Sequence, residues 1–411
     1  GGLGLEESKV IAVMLERAGI DGLITYVGWH ECPMPTSQSS VPDGAFVYMA
    51  EELKKTISIP VVATNRINDP ILAERILAEG KADMVSMGRQ LFCDPDLPNK
   101  IREGRLEDIR RCIACNTCLD HWWNEWPISC AINPQAGREA EYAIRPTNRP
   151  KKVLVIGGGP AGMESARVVS KRGHDVTIFE KSDRLGGLLG VASVPDFKEP
   201  ISGFTCYLET QVKKAGVKIK LGKEASVDTV KSFAPDAVIV ATGARPIKPS
   251  IPGIDRDSVV FAADITKGAK GVGKNVLVAG GGYIGCETAL FLAQQGKKVT
   301  IAEMREAVAL DIEGIHAIAL AELFEEYDIT IRVNMTLCEV KDGEAVFLDK
   351  NQKKEVIKAD TIILAVGYEP NNSLAKALKE EVKELYAGGD CAEARNIFGA
   401  VHDGAHIGRQ I

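Results

Sequence analysis

Residues 151–181, KKVLVIGGGPAGMESARVVSKRGHDVTIFEK, read as a strand, a glycine turn, a helix and a second strand ending on an acid. Residues 274–304, KNVLVAGGGYIGCETALFLAQQGKKVTIAEM, repeat the plan. From Gly157 to Glu180 is 23 residues, and from Gly280 to Glu303 it is 23 again, so one fold unit is used twice. Each unit carries G-x-G-x-x-G directly after a strand: Gly157, Gly159 and Gly162, then Gly280, Gly282 and Gly285. The first glycine permits the tight turn, the second lets backbone approach a pyrophosphate, and the third lets helix pack on strand. The helix N-terminus then faces the phosphate charge. Glu180 and Glu303, at the end of the following strand, are placed to accept hydrogen bonds from ribose hydroxyls. A lone glycine motif is a weak signal, but two with strand, helix and carboxylate predict two dinucleotide sites.

At roughly 150 residues per domain, 411 residues predict about three domains. With 45% apolar and 26% charged residues, the composition is that of an ordinary globular protein. A net charge of −6 with scattered Lys and Arg offers no basic face to nucleic acid or anionic lipid. No apolar run approaches the ~18 residues needed to span a bilayer, and GGLGLEESKV lacks a signal-peptide pattern, so a cytoplasmic protein without membrane partners is expected. The first residue is glycine and Ile411 interrupts what reads as a helix (HDGAHIGRQI), so truncation at both ends is expected.

Upstream of the repeat, residues 5–18 and 71–79 have helical apolar spacing. Short β-rich runs lie at 22–27, 59–63 and 83–87, as in βαβ folds. A Pro- and charge-bearing stretch at 143–151 reads as a linker. Four of the ten cysteines lie within 19 residues: Cys112, Cys115, Cys118 and Cys130 give C-x2-C-x2-C-x11-C. A tight thiolate loop closed by one distant ligand suits a [4Fe–4S] cluster. Tetrahedral zinc is the alternative, although zinc sites usually come as two spaced pairs. Trp122, Trp123 and Trp126 are expected to cover the cluster from water, and the isolated Cys32, Cys93, Cys206, Cys286, Cys338 and Cys391 to be buried or incidental thiols.

DRLGGLLG (183–190, with Arg184, Gly186 and Gly187), ATGARP (241–246) and YAGGDCAE (386–393, with Asp390) follow the first unit. Together with the repeat they resemble the two-dinucleotide-binding-domain flavoproteins. That resemblance implies FAD on the first unit, with Arg184 and Gly187 in its follow-on loop, and a nicotinamide nucleotide on the inserted second unit. The chain would return to the FAD domain near residue 370, and Asp390 would meet the ribityl chain. Glu303 repels a 2′-phosphate and favours NADH over NADPH, a preference tempered by Arg305. No cysteine occurs between Cys130 and Cys206 to form a redox disulfide beside the flavin, so electrons must leave the FAD another way.

GWHE (28–31), NRINDP (65–70), ADMVSMGRQLFCDPDLPNKIREGR (82–105) and CIACNTCLD (112–120) occur in that order. With the dinucleotide units they resemble the 2,4-dienoyl-CoA reductase, 2-enoate reductase and trimethylamine dehydrogenase group of the old-yellow-enzyme superfamily. The implied fold is α/β: the C-terminal part of a TIM barrel (1–108), a [4Fe–4S] segment (109–142), then two nested Rossmann-like domains. FAD would occupy 151–260 with 371–411, and NAD(P)H 261–370. By the same resemblance Asn65–Arg66 and Gly88–Arg89 hold the FMN phosphate, in keeping with the barrel rule for phosphate sites. His30 is the active-site histidine over the flavin, and Glu31 either joins it or orients the loop. Cys32 and Pro33 depart from the Ala-Arg of the dienoyl-CoA reductases, and the two-residue third gap of the cysteine motif looks like the trimethylamine dehydrogenase side. The barrel's first five strands are absent, three strands cannot close a barrel, and the tyrosine acid of the family's other half is missing. The implied activity passes electrons from NADH through FAD and the cluster to FMN and reduces an activated alkene, an enoate or enoyl-CoA. Alternatives are an electron-transfer (diaphorase) module, an amine dehydrogenase, and a steroid or bile-acid-CoA enone oxidoreductase. A homo-oligomer is compatible with the sequence.

Overall fold

The computed structural model describes residues 2–28, 38–266, 271–312 and 314–411; His30, Glu31, Cys32 and Pro33 lie outside the described residues. The chain forms two compact units, Gly1–Glu139 and Ala140–Ile411.

In the first unit, strands Leu23–Ile24, Val61–Ala63 and Met84–Val85 pair in parallel in chain order. Helices Leu5–Arg17, Val47–Lys54 and Pro70–Ala78 alternate with them. The last is started by Asp69, whose carboxylate accepts from Ile71 N at 2.9 Å, and by Pro70 in the first turn, where a missing N–H costs nothing. Because side chains alternate across a strand, the register divides the sheet into two faces. Val61 and Ala63 join Ala50, Leu53 and Ile76 in the core, while Ile24, Val62 and Met84 align in a row on the other face. Ile24 and Met84 are 64% and 50% exposed, as the inner face of an unclosed barrel section would be.

The second unit holds two five-stranded parallel sheets. The first runs Leu385–Ala387, Ala237–Val240, Lys152–Ile156, Asp175–Phe179, Lys218–Lys220. The second runs Val259–Phe261, Thr361–Leu364, Asn275–Ala279, Lys298–Ala302, Thr330–Arg332. In each, the central strand leads into a glycine turn and is buried almost end to end, as parallel strands covered on both faces must be. A two-stranded antiparallel ribbon, Ala244–Pro246 with Tyr368–Pro370, links the halves. The second half also carries an antiparallel meander, Thr336–Lys341, Glu344–Leu348 and Lys354–Lys358, which the sequence reading did not anticipate. The final helix, Ile397–Gln410, returns to the first half and lays Gly404 and Gly408 against Ala161 and Val168 of helix Pro160–Lys171. No described helix is long and apolar enough to cross a membrane.

Candidate functional site

Cys112, Cys115, Cys118 and Cys130 line one cavity with Arg89, Phe92, Cys93, Asn116 and neighbouring residues. Ala114 and Asn116 adopt left-handed φ values of 51° and 61°, which curl the loop so that its cysteines face inward. Gln90 braces it, accepting from Cys112 N at 2.7 Å and donating to Arg110 O at 2.9 Å. Ala114 N points at Cys112 Sγ (3.4 Å), and Thr117 Oγ1 lies 3.4 Å from Cys115 Sγ. Burial pushes the Cys115 thiol up to about 12 and Cys118 up to about 11, whereas a hydrogen bond from Cys93 lowers Cys130 to about 6. Loading the site therefore releases protons. Four thiols around one cavity fit an iron–sulfur group.

Cys93, expected to be a buried or incidental thiol, is fully buried and also lines this cavity, its Sγ 3.1 Å from Arg110 O. Its distance in sequence from the other four hid it. Trp122, Trp123 and Trp126 correct the other expectation, being 55%, 60% and 56% exposed instead of packed as a cover.

The loops expected at the FMN phosphate leave adjacent parallel strands, since Val62 pairs with Met84 and Ala63 with Val85. Asn65 and Arg66 both have left-handed φ (68° and 54°). Asn65 ties back to Val27, donating to its O at 3.1 Å and accepting from its N at 3.3 Å. Arg66 is buried, paired with Asp43 at 2.6 Å and donating to Val41 O. Gly88 opens helix Gly88–Cys93, and Arg89 Nη1 donates to Asn116 Oδ1 at 2.7 Å.

The two glycine turns match atom for atom. Gly157 and Gly280 have φ near +110° (110° and 107°), and a Cβ there would strike Ala241 O or Ala365 O. Likewise a Cβ on Gly162 or Gly285 would strike the carbonyl of Gly157 or Gly280. Glu180 and Glu303 are buried, and each accepts the N–H of the middle glycine, Gly158 or Gly281, at 2.6 Å. Their other oxygens take Ser182 N and Arg305 N. The carboxylates thus hold their own turns. Arg305 Nε also reaches Glu303 at 3.2 Å. In the first turn nothing lies within 4 Å of the Gly159 Cβ position, an open cradle that suits a pyrophosphate. Gly187 passes beside Gly159, Arg184 is exposed, and Gly389 brings the turn carrying Asp390 against Ala161. Burial raises the Asp390 carboxyl, whose Oδ1 accepts from Arg395 N at 3.1 Å.

Lys198, unnoticed in the sequence, is buried between the two halves, donating to Tyr283 Oη at 2.9 Å and pairing with Glu287. Burial alone would pull its ammonium down, but Glu287 and Tyr283 hold it above the ordinary lysine range.

Comparison with known proteins accords with this geometry. Residues 6–108 match the NADH:flavin oxidoreductase / NADH oxidase family, and residues 151–406 match pyridine nucleotide-disulphide oxidoreductases. An NADH oxidase of Thermoanaerobacter brockii is 40% identical, covering 100% of this chain and 64% of the relative. A cinnamate reductase of Clostridium sporogenes is 36% identical, covering 99% and 61%. The solved structure of a 2-naphthoyl-CoA reductase with 2-naphthoyl-CoA is 37% identical at a TM-score of 0.95, covering 100% of this chain and 63% of that one. The chain thus spans less than two thirds of the length of these relatives. The matches indicate FMN, FAD, NADH and an iron–sulfur cluster as the cofactors. By the match over residues 151–406, more than half of its length, the chain belongs to the pyridine nucleotide-disulphide oxidoreductase family, with a segment similar to the NADH:flavin oxidoreductase / NADH oxidase family before it.

Proposed function

We propose that the chain is the cluster- and dinucleotide-bearing part of a cytoplasmic enzyme that uses NADH to reduce an activated carbon–carbon double bond. The observation that carries this reading is Arg89. It stands in the strand-end loop assigned to the FMN phosphate and also lines the four-cysteine cavity, so one short helix serves both groups. If bound at these sites, NADH would be the two-electron donor, the flavins would allow two-electron and one-electron chemistry, and an iron–sulfur cluster would allow one-electron transfer.

The chain's residues divide the work of holding these groups. Gly157, Gly159, Gly162, Glu180, Arg184, Gly187 and Asp390 hold FAD, while Gly280, Gly282, Gly285 and Glu303 hold NADH. Cys112, Cys115, Cys118 and Cys130 ligate the cluster, and Asn65, Arg66, Gly88 and Arg89 surround the FMN phosphate. By the family resemblance His30 would polarise or protonate the substrate, and Glu31 would assist it; both lie outside the described residues. Relatives named as reductases of cinnamate and 2-naphthoyl-CoA favour a conjugated acid or its CoA ester. Among the described residues no two cysteines form a disulfide.

A second reading, an NADH-dependent electron-transfer module, is favoured by the 40% identical relative named NADH oxidase. Anaerobic purification separates the two. The first reading expects about four irons, one FAD and one FMN per chain, with NADH-driven reduction of an aryl enoate or aryl-CoA. FAD without FMN, and dye reduction without alkene reduction, would establish the second.

A further inference from the structure

The two dinucleotide units differ at one place where their repeat makes the difference legible. After the second strand of each unit the loops run alike, offset as the glycines are. Leu185 packs on Gly158 as Val308 packs on Gly281. Gly186 N donates to Gly158 O at 2.9 Å, and Ala309 N donates to Gly281 O at 2.8 Å. The next two positions diverge, reading Gly187-Leu188 in the first unit and Leu310-Asp311 in the second.

In the first unit the helix begins at Pro160, which has no N–H, and the space beside Gly159 is open. In the second, Tyr283 takes the place of Pro160 and its N–H is already engaged. Asp311 Oδ1 and Oδ2 accept from it at 3.1 and 3.2 Å. Asp311 Oδ2 also lies 2.9 Å from where a Cβ on Gly282 would stand. A carboxylate therefore occupies the helix N-terminus that, in such a unit, receives the dinucleotide pyrophosphate. Two anions cannot share that position without strong repulsion. Asp311 is exposed, so solvent and ligand reach it directly.

We propose that Asp311 is an internal stand-in for the pyrophosphate, closing the second turn while the nucleotide is away and leaving it as NADH binds. The inference rests on the reading that residues 274–304 hold NADH. Part of the nucleotide's binding energy is spent on evicting a like charge, so Asp311 sets the affinity of this site while the flavin site, with Leu188 in the equivalent place, has no such gate.

The test uses the flavin-loaded protein and ADP-ribose, which carries the pyrophosphate but cannot reduce the flavin, with adenosine as a probe that lacks phosphate. Asp311→Asn keeps a capping acceptor and removes the charge. It should tighten ADP-ribose binding about threefold to tenfold, measured by calorimetry, and leave adenosine binding unchanged. Asp311→Ala removes both cap and charge. It should lower the Tm of the nucleotide-free protein and still tighten ADP-ribose, whereas a purely structural aspartate would weaken both. Unchanged or weaker ADP-ribose binding in Asp311→Asn, alongside normal binding by the wild type, overturns the gate and leaves the NADH site standing. Failure of wild type and variants alike to bind ADP-ribose overturns the nucleotide reading and the gate together.

Discussion

Arg89 and Asn116 are joined side chain to side chain at 2.7 Å, and Asn116 is the left-handed residue between Cys115 and Cys118. The guanidinium thus clamps the cysteine loop, and its charge favours the thiolates of Cys112 and Cys118. Arg89→Ala should cost about tenfold to hundredfold in metal affinity, the usual effect of removing a group that orients ligands. Chelator competition measures it. Arg89→Lys, which keeps charge without the fork, should fall between.

Replacing Cys115 by Ser should abolish iron binding, while Cys206→Ser, at an exposed position, should leave iron content unchanged. Iron uptake during reconstitution should weaken as pH falls, because the raised thiols of Cys115 and Cys118 must lose protons to ligate. It should weaken more steeply below about 6, where Cys130 must also give up a proton to ligate. Uptake independent of pH across that range would count against thiolate ligation.

Gly162→Ala and Gly285→Ala place the same methyl group against the same carbonyl in two different turns. Each should cost about 1–3 kcal/mol in stability through overpacking. The ligand losses should differ, with FAD missing from the first variant but retained in the second, whose flavin is then reduced slowly by NADH. Flavin content after gel filtration and stopped-flow reduction distinguish the two.

The buried Lys198 and the part-exposed Glu287 form a pair between the halves. Breaking it with Lys198→Met should destabilise the protein by about 3–5 kcal/mol, and the double variant Lys198→Met/Glu287→Met should recover most of that loss. Since folding raises the Lys198 pKa, the pair's contribution is present below about pH 10 and is lost only as pH rises through the higher folded value. Urea titrations at pH 7 and 10.5 check both statements.

What could be read from the chain alone depended on whether the constraint was local. The glycine turns were legible because strand, turn, helix and carboxylate must follow one another at fixed spacing, and Gly157 to Glu180 repeats as Gly280 to Glu303. Four of the cavity's cysteines were legible, Cys112, Cys115 and Cys118 as a tight triplet and Cys130 as its more distant fourth member. Cys93 was not, because it reaches the cavity through tertiary packing of helix Gly88–Cys93. The meander around Asp342-Gly343 was missed although a Gly with φ 69° between alternating strands is a recognisable hairpin turn. Lys198 and Asp311 act across long separations, and only aligning the two repeats residue by residue would have singled out Asp311. The strands at 22–27 and 83–87 shrank to Leu23–Ile24 and Met84–Val85, since pairing partners and not propensity set their lengths.

The return of helix Ile397–Gln410 and strand Leu385–Ala387 to the first sheet bears on the order of assembly during synthesis. The nicotinamide half is contiguous from Val259 to Leu364 and can condense as soon as it leaves the ribosome. The flavin half must wait for its last strand and for the glycine-faced helix that braces Pro160–Lys171. A nascent chain halted before residue 385 would own a formed nicotinamide fold while its first sheet still lacked strand Leu385–Ala387 and the helix that braces Pro160–Lys171, so one half can be folded while the other is still open.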